Sequence, residues 1–173
     1  MVSSEEFLSN LTELRGTGEF SDGTIVLDDG SLFKIHKVVL AAGSWYFKTL
    51  FKWNPDQKEF HLKEYVSKEA MEQILTWIYS RKLTLQEDNL PEVLKTAHYL
   101  DCTEVVDQCK QFLMKELCID NVLGFWNFAA TYQIQGLEEK FLDFVACHYT
   151  QVQKTEEFFE LMPENLPKGL EKE

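Results

Sequence analysis

The stretch Thr24-Ile25-Val26-Leu27-Asp28-Asp29-Gly30-Ser31-Leu32-Phe33-Lys34-Ile35-His36-Lys37-Val38-Val39-Leu40-Ala41-Ala42-Gly43-Ser44-Trp45-Tyr46-Phe47 changes its hydrophobic rhythm halfway. Two short apolar, β-branched runs, 24–27 and 32–35, flank Asp28-Asp29-Gly30-Ser31. Asp29-Gly30 can supply the positive φ angles of a two-residue turn, so the spacing predicts a β-hairpin. From Lys37 the apolar residues crowd together as Val38, Val39, Leu40, Ala41 and Ala42, break at Gly43-Ser44, and resume with Trp45, Tyr46, Phe47, Leu50 and Phe51. This predicts two short, mostly buried helices directly after the hairpin, an α+β beginning.

Upstream, Phe7, Leu8, Leu11 and Leu14 recur at helical spacing, Asn10, Glu13 and Arg15 point elsewhere, and Gly16 and Gly18 stop the run. A helix of ~12 residues is marginal alone, so its apolar stripe must rest on the body of this subunit or on another one. Downstream, Trp53-Asn54-Pro55-Asp56-Gln57-Lys58 reads as a polar turn, and Glu59-Phe60-His61-Leu62 alternates like a third strand. Ser67 can cap a helix with Ala70, Met71, Ile74, Leu75 and Ile78 on one face. After an extended stretch from Arg81 to Leu85, Asp88 or Asn89 can cap a helix with Pro91 in its first turn and Leu90, Val93, Leu94, Ala97 and Leu100 inward.

Four further helices are expected. Thr103 begins one with Val105, Val106, Cys109, Phe112 and Leu113 inward. Asp120 caps one holding Val122, Phe125, Trp126, Ala129 and Tyr132. Another carries Leu137, Phe141, Phe144, Val145 and His148, and Thr155 caps a short last one with Phe158, Phe159 and Leu161. The final ten or so residues are expected to be loose. Strands early and helices afterwards imply a small sheet covered by helices, with a helical extension beyond about residue 118.

The 17 Lys and Arg against 29 Asp and Glu give a net charge of -12, which repels phosphate backbones and argues against nucleic-acid binding. No run approaches the ~20 apolar residues that cross a bilayer, and Glu5 and Glu6 stand where a secretory signal needs basic residues. The expected compartment is therefore the cytoplasm or nucleus. Cys102, Cys109, Cys118 and Cys147 lack the paired spacing of a zinc site and read as reduced, mostly buried thiols.

Phe20-Ser21-Asp22, the strand pair and His36 to Phe47 together resemble the BTB/POZ signature, in which an acid precedes the first strand and the second ends in H-[RK]-x-x-L-A-x-x-S-x-Y-F. Ile74 to Ser80 resembles the family's I-L-x-x-x-Y-T segment, and Asn89 to Leu100 its N-x-x-x-L-L-x-x-A-x-x-L helix. Cys109 to Leu113 resembles the C-x-x-F-L of kelch-like proteins, and Leu117 to Gly124 their L-x-x-x-N-x-L-G linker, while 128–160 resemble the start of a BACK domain. Trp53-Asn54 and Glu116-Leu117-Cys118 with Asp120-Asn121 resemble the kelch-like protein 10 branch.

The resemblance implies a dimerisation helix over 1–18, a BTB/POZ domain over 19–117, 3-box and partial BACK helices over 118–162, and a loose acidic tail over 163–173. It implies a homodimer through Phe7, Leu8, Leu11 and Leu14. It also implies cullin-3 binding through Phe51, Trp53, Asp56, His98, Tyr99, Gly124, Phe125 and Phe128, with substrate held by a kelch propeller outside these residues. On that reading the sequence is a piece of a longer protein, or a short form that dimerises without recruiting by kelch. Cullin-binding members carry an apolar-x-Glu motif before the third strand, whereas here Trp53 and Asp56 stand in for it. That departure keeps a second reading open, a self-associating scaffold or transcription-regulator module. The extension past Cys118 favours the adaptor, because zinc-finger regulators leave the BTB fold through a disordered linker.

No catalytic residues, cofactor or metal are expected. His98 and Cys102 lie four apart without further ligands, and Cys147-His148 reads as core filling within a helix. No glycine-rich phosphate loop or nucleophile–base–acid set occurs, so the chain reads as non-catalytic. Asp22, His36 and Lys37 are expected to satisfy one another beneath the hairpin, or to form a charged pocket. Trp53 is a natural interface anchor or a packing residue of its own domain. Phe125, Trp126 and Phe128 with Gly124 read as core plus a close helix approach, or as a groove for an extended partner segment.

Overall fold

The computed structural model describes residues 3–62, 66–132, 134 and 136–161. The expected loose tail over 163–173 lies outside them. The chain forms two compact units, Met1–Cys109 and Lys110–Glu173, and the division falls within a helix.

In the first unit, helix α1 (Ser4–Thr17) precedes strands β1 (Gly23–Val26) and β2 (Leu32–Ile35). Helices α2 (Lys37–Gly43) and α3 (Trp45–Trp53) then lead to β3 (Glu59–His61), α4 (Lys68–Ser80) and α5 (Leu90–Tyr99). The sheet order is β2-β1-β3. β1 pairs antiparallel with β2, Val26 facing Leu32, and parallel with β3, Ile25 facing Phe60. A parallel pair needs a long crossover, and α2 with α3 supplies it. Ile25, Phe33, Ile35 and Phe60 form the buried face of the sheet.

The hairpin forms, but its turn is longer than the sequence suggests. Leu27 N–H donates to Ser31 O at 3.0 Å and Gly30 N–H to Leu27 O at 3.0 Å, enclosing three residues, of which only Gly30 has positive φ (84°). This is a turn closed by a left-handed glycine, which needs one such residue instead of two. Asp29 caps it by accepting from Ser31 N–H at 2.7 Å, and that bond lowers its carboxyl pKa.

The break at Gly43-Ser44 separates α2 from α3 as expected. Gly43 is required by packing: a Cβ there would stand 2.8 Å from Ile78 Cγ1 on α4. The expected inward residues of α4 and α5, from Ala70 to Ile78 and from Leu90 to Leu100, are all buried. The stretch 81–85 joins no strand.

Helix α1 packs on α4. Arg15, expected to point away, reaches α4 instead: its guanidinium pairs with Glu72, donates to Thr76 Oγ1 at 3.4 Å and lies 5.7 Å from the Tyr79 ring centroid. Leu8, Leu11 and Leu14 are half-buried, Phe7 is 57% exposed, and no α1 residue is fully buried. The stripe is thus only partly covered by its own subunit.

Helix α6 (Thr103–Lys115) runs from the first unit into the second, which continues with α7 (Val122–Thr131), α8 (Glu138–Cys147), α9 (Tyr149–Val152) and α10 (Glu156–Leu161). Asn121, not Asp120, is the residue at the start of α7. Its side chain accepts from Cys118 N–H and donates to Glu116 O, holding the turn before the helix. Val122, Leu123 and Ala129 are the buried side of α7, while Phe125, Trp126 and Phe128 are half-buried and Tyr132 is exposed. Thr155 Oγ1 accepts from Phe158 N–H, capping α10 as expected, whereas α9 was not foreseen.

Candidate docking groove

Helix α3 has two opposed aromatic faces. Phe47 and Phe51, four apart, are buried and stack with centroids 5.6 Å apart, and Phe51 meets Phe60 of β3 at 4.9 Å. Trp45, Thr49 and Trp53 also recur every four residues but face solvent, with Trp45 62% and Trp53 75% exposed. At 100° per residue, position 45 stands about 200° from position 47, so one helix shows aromatics to core and water alike.

Ser44 fixes the start of α3. Its hydroxyl accepts from Phe47 N–H at 3.1 Å as an N-cap and donates to Leu100 O at 2.6 Å, joining α3 to the end of α5. Trp45 N–H donates to Asp101 O at 3.4 Å, and the Tyr46 and Tyr99 hydroxyls lie 3.1 Å apart over tilted rings. Between these elements opens a groove of about 470 Å³, lined by Trp45, Tyr46, Thr49, Leu50, Trp53, Asn54, Tyr99 and Asp101. Its walls are mostly aromatic and aliphatic with a few polar tips, the composition of a surface that holds a partner side chain.

Of the residues expected at a cullin-3 interface, the structure brings Trp53 and Tyr99 to this groove. Phe51 is corrected to a core residue, only 7% exposed, that supports the groove from behind. Asp56 and His98 are exposed but do not line it. Trp53 is the last residue of α3, so the polar turn begins at Asn54. Trp45, Tyr46, Thr49 and Leu50 were missed because the two helices were read as mostly buried. The i, i+4, i+8 spacing of Trp45, Thr49 and Trp53 opposite Phe47 and Phe51 was the available signal.

In the second unit, Phe125 and Phe128 are half-buried, with Phe128 against Tyr132 at 4.8 Å. Gly124 is exposed, and the Glu157 carboxylate lies 3.5 Å from where its Cβ would be, so α10 closes on α7 there.

Of the three, Asp22 binds the backbone of Lys37, whereas the His36 ring and the Lys37 ammonium are bonded elsewhere. His36 Nε2 lies 2.7 Å from Glu19 O, an acceptor, so Nε2 carries the proton. Nδ1 then accepts from Tyr79 O–H at 2.9 Å, and the Tyr79 oxygen accepts the His36 backbone N–H at 2.9 Å. Burial raises the Tyr79 pKa, opposed by its bond with His36 N–H and by the Arg15 charge. Asp22 Oδ1 accepts from Lys37 N–H at 2.7 Å. The Lys37 ammonium donates to Pro55 O at 2.8 Å and Gln57 O at 2.6 Å, above the Phe60 ring.

Cys102 and Cys109 are buried, and burial pushes both thiols up to about 12. Cys118 and Cys147 are exposed, contrary to the expectation that the thiols are mostly buried. Cys147 therefore does not fill core, and His148 donates from Nδ1 to Phe144 O at 2.9 Å. Among the described residues no group of three or more His, Cys, Asp or Glu is arranged to hold a metal, and no helix is long and apolar enough to cross a membrane.

The BTB/POZ domain family matches residues 11–117, and the BACK (BTB And C-terminal Kelch) family matches 122–173. Mouse kelch-like protein 9 is 31% identical over 92% of this chain and 26% of its own length. Human gigaxonin is 31% identical over 92% of this chain and 27% of its own. The vaccinia virus kelch repeat and BTB domain-containing protein A55 is 27% identical over 98% of this chain and 30% of its own. The chain thus spans roughly a quarter to a third of the length of these relatives. These matches do not single out the kelch-like protein 10 branch. Among solved structures, the BTB domain of zebrafish PATZ1 superposes with a TM-score of 0.60 at 29% identity, over 65% of this chain and 92% of that one. The chain belongs to the BTB/POZ family, with the BACK family model matching the helical residues that follow it.

Proposed function

We propose that this chain is the dimeric adaptor part of a cullin-RING ubiquitin ligase, holding the N-terminal domain of cullin-3 in the α3–α5 groove. Substrate is recruited by a region outside these residues. The observation that carries the reading is the open aromatic groove around Trp53 and Tyr99, in a chain whose relatives include kelch-like proteins. The role is non-catalytic: the chain positions one protein for another, and the transfer chemistry belongs to the assembled ligase. Trp53, three-quarters exposed at the end of α3, has the character of a hot-spot anchor. A calorimetric titration with the cullin-3 N-terminal domain should saturate at one cullin per subunit with submicromolar affinity. Trp53→Ala should cost ~2 kcal/mol, roughly 30-fold in Kd. An absence of heat from the folded chain at tens of micromolar defeats the proposal.

A second reading is a self-associating scaffold without cullin binding. It is favoured by Trp53-Asn54-Pro55, which departs from the apolar-x-Glu motif, and by the partly uncovered face of α1. The same titration separates the two, since a scaffold remains a dimer but gives no heat with cullin-3.

A further inference from the structure

We propose that Lys37 is a positioning residue for the groove, clamping the segment after Trp53 and so setting the angle at which that indole meets a partner. The inference rests on the docking role proposed above. It starts from how the turn between α3 and β3 is held. At one end, Asn54 N–H and Nδ2 both donate to Leu50 O, at 3.1 and 2.9 Å, closing α3. At the other, Lys58 O accepts from Thr24 N–H at 2.7 Å, which begins the pairing of β3 with β1. Between these anchors, the Pro55 and Gln57 carbonyls converge on one ammonium, that of Lys37.

Lys37 is itself held in place for this task. Its backbone N–H is bound by Asp22 Oδ1, and its ammonium lies 5.4 Å from the centroid of the Phe60 ring, which is 1% exposed on β3. Charge-assisted bonds to two carbonyls, with the ammonium over an aromatic ring, use the reach of lysine and two of its three donors. The Asp22–Lys37 pair therefore acts in series. Asp22 fixes the start of α2, and Lys37 reaches from there to the turn. Pro55 follows Trp53 by two residues, so releasing its carbonyl frees the C-terminal side of Trp53 while α3 still holds the other.

The test uses the full chain and K37M, which keeps the stem and removes the ammonium, with K37R as the conservative variant. Hydrogen exchange is read at the amides of Asn54 and Thr24, which donate to Leu50 O and Lys58 O at the two ends of the turn, and binding of the cullin-3 N-terminal domain is measured with Trp53 intact and in a W53A background. K37M should speed exchange at Asn54 and Thr24 about tenfold and weaken binding about tenfold, with K37R recovering most of both. In the W53A background the effect of K37M on binding should fall below about twofold, because the clamp works through that indole. Native exchange at both Asn54 and Thr24 in K37M, or a binding loss that persists undiminished in W53A, overturns the proposal. Should K37M fail to fold, K37Q gives the same comparison. If the unaltered chain binds no cullin domain, the docking reading falls, and the exchange rates alone still uphold or overturn the clamp.

Discussion

Single buried groups set several measurable properties of this chain. Thr96 is fully buried on α5 and its hydroxyl has no hydrogen-bond partner among the described residues. Thr96→Val keeps the shape and removes the desolvated oxygen, so it should stabilise the fold by ~1 kcal/mol, read as a higher urea midpoint at unchanged slope. Tyr79→Phe does the opposite, leaving the His36 backbone N–H and Nδ1 without their shared hydroxyl, and should cost ~1–3 kcal/mol in the same assay. The Cys102 and Cys109 thiols, about 12 in the fold against an ordinary 9, bind protons that the unfolded chain releases. Their contribution is complete below pH 9 and is lost as pH rises from 9 towards 12, by about 1.4 kcal/mol per pH unit for each thiol. Urea midpoints in reductant at pH 8 and pH 10.5 should therefore diverge, and replacing both cysteines with alanine should narrow the gap.

At the scale of elements, α1 is the least self-sufficient piece of the first unit. Arg15 fastens its C-terminal half to α4, yet Phe7 is largely exposed and the three leucines are only half-covered. Leu11→Asp with Leu14→Asp should convert a dimer to a monomer in light scattering, and a dimer that survives places the interface elsewhere. Apart from α9, the sequence showed the helices, the hairpin and the third strand because each carries its own period and stop. It could not show that β3 runs parallel to β1, a consequence of where α2 and α3 carry the chain. The hairpin turn was misjudged by one residue because Asp-Gly serves both a two-residue turn and a longer one closed by glycine. Helix α3 defeats periodicity for another reason. With Trp45, Tyr46, Phe47, Leu50, Phe51 and Trp53 all large and apolar, pattern alone cannot say which stripe faces the core. Lys48, Thr49 and Lys52 were the polar residues that could have revealed the outer side.

For the whole molecule, the legible part of the candidate site was the family's loop and the end of α5, and the illegible part was the outer face of α3 that completes the groove. Residues 53 to 56 apart in sequence come together there through Ser44, the Trp45 N–H and the Tyr46–Tyr99 pair. This layout keeps the proposed self-association stripe apart from the proposed docking groove within the first unit. The stripe of α1 and the lining of the groove share no residue, and α1 packs on α4 while the groove belongs to α3 and the end of α5. Sites without common partners contribute independently, within about 0.5 kcal/mol. The aspartate variant that abolishes the dimer should therefore bind the cullin-3 N-terminal domain with nearly the affinity of the native chain, at one cullin per chain. The mass of the complex by light scattering should fall from two chains and two cullin domains to one of each. A loss of affinity much beyond twofold in a folded monomer means instead that the partner subunit shapes the groove, and that self-association and docking are one function.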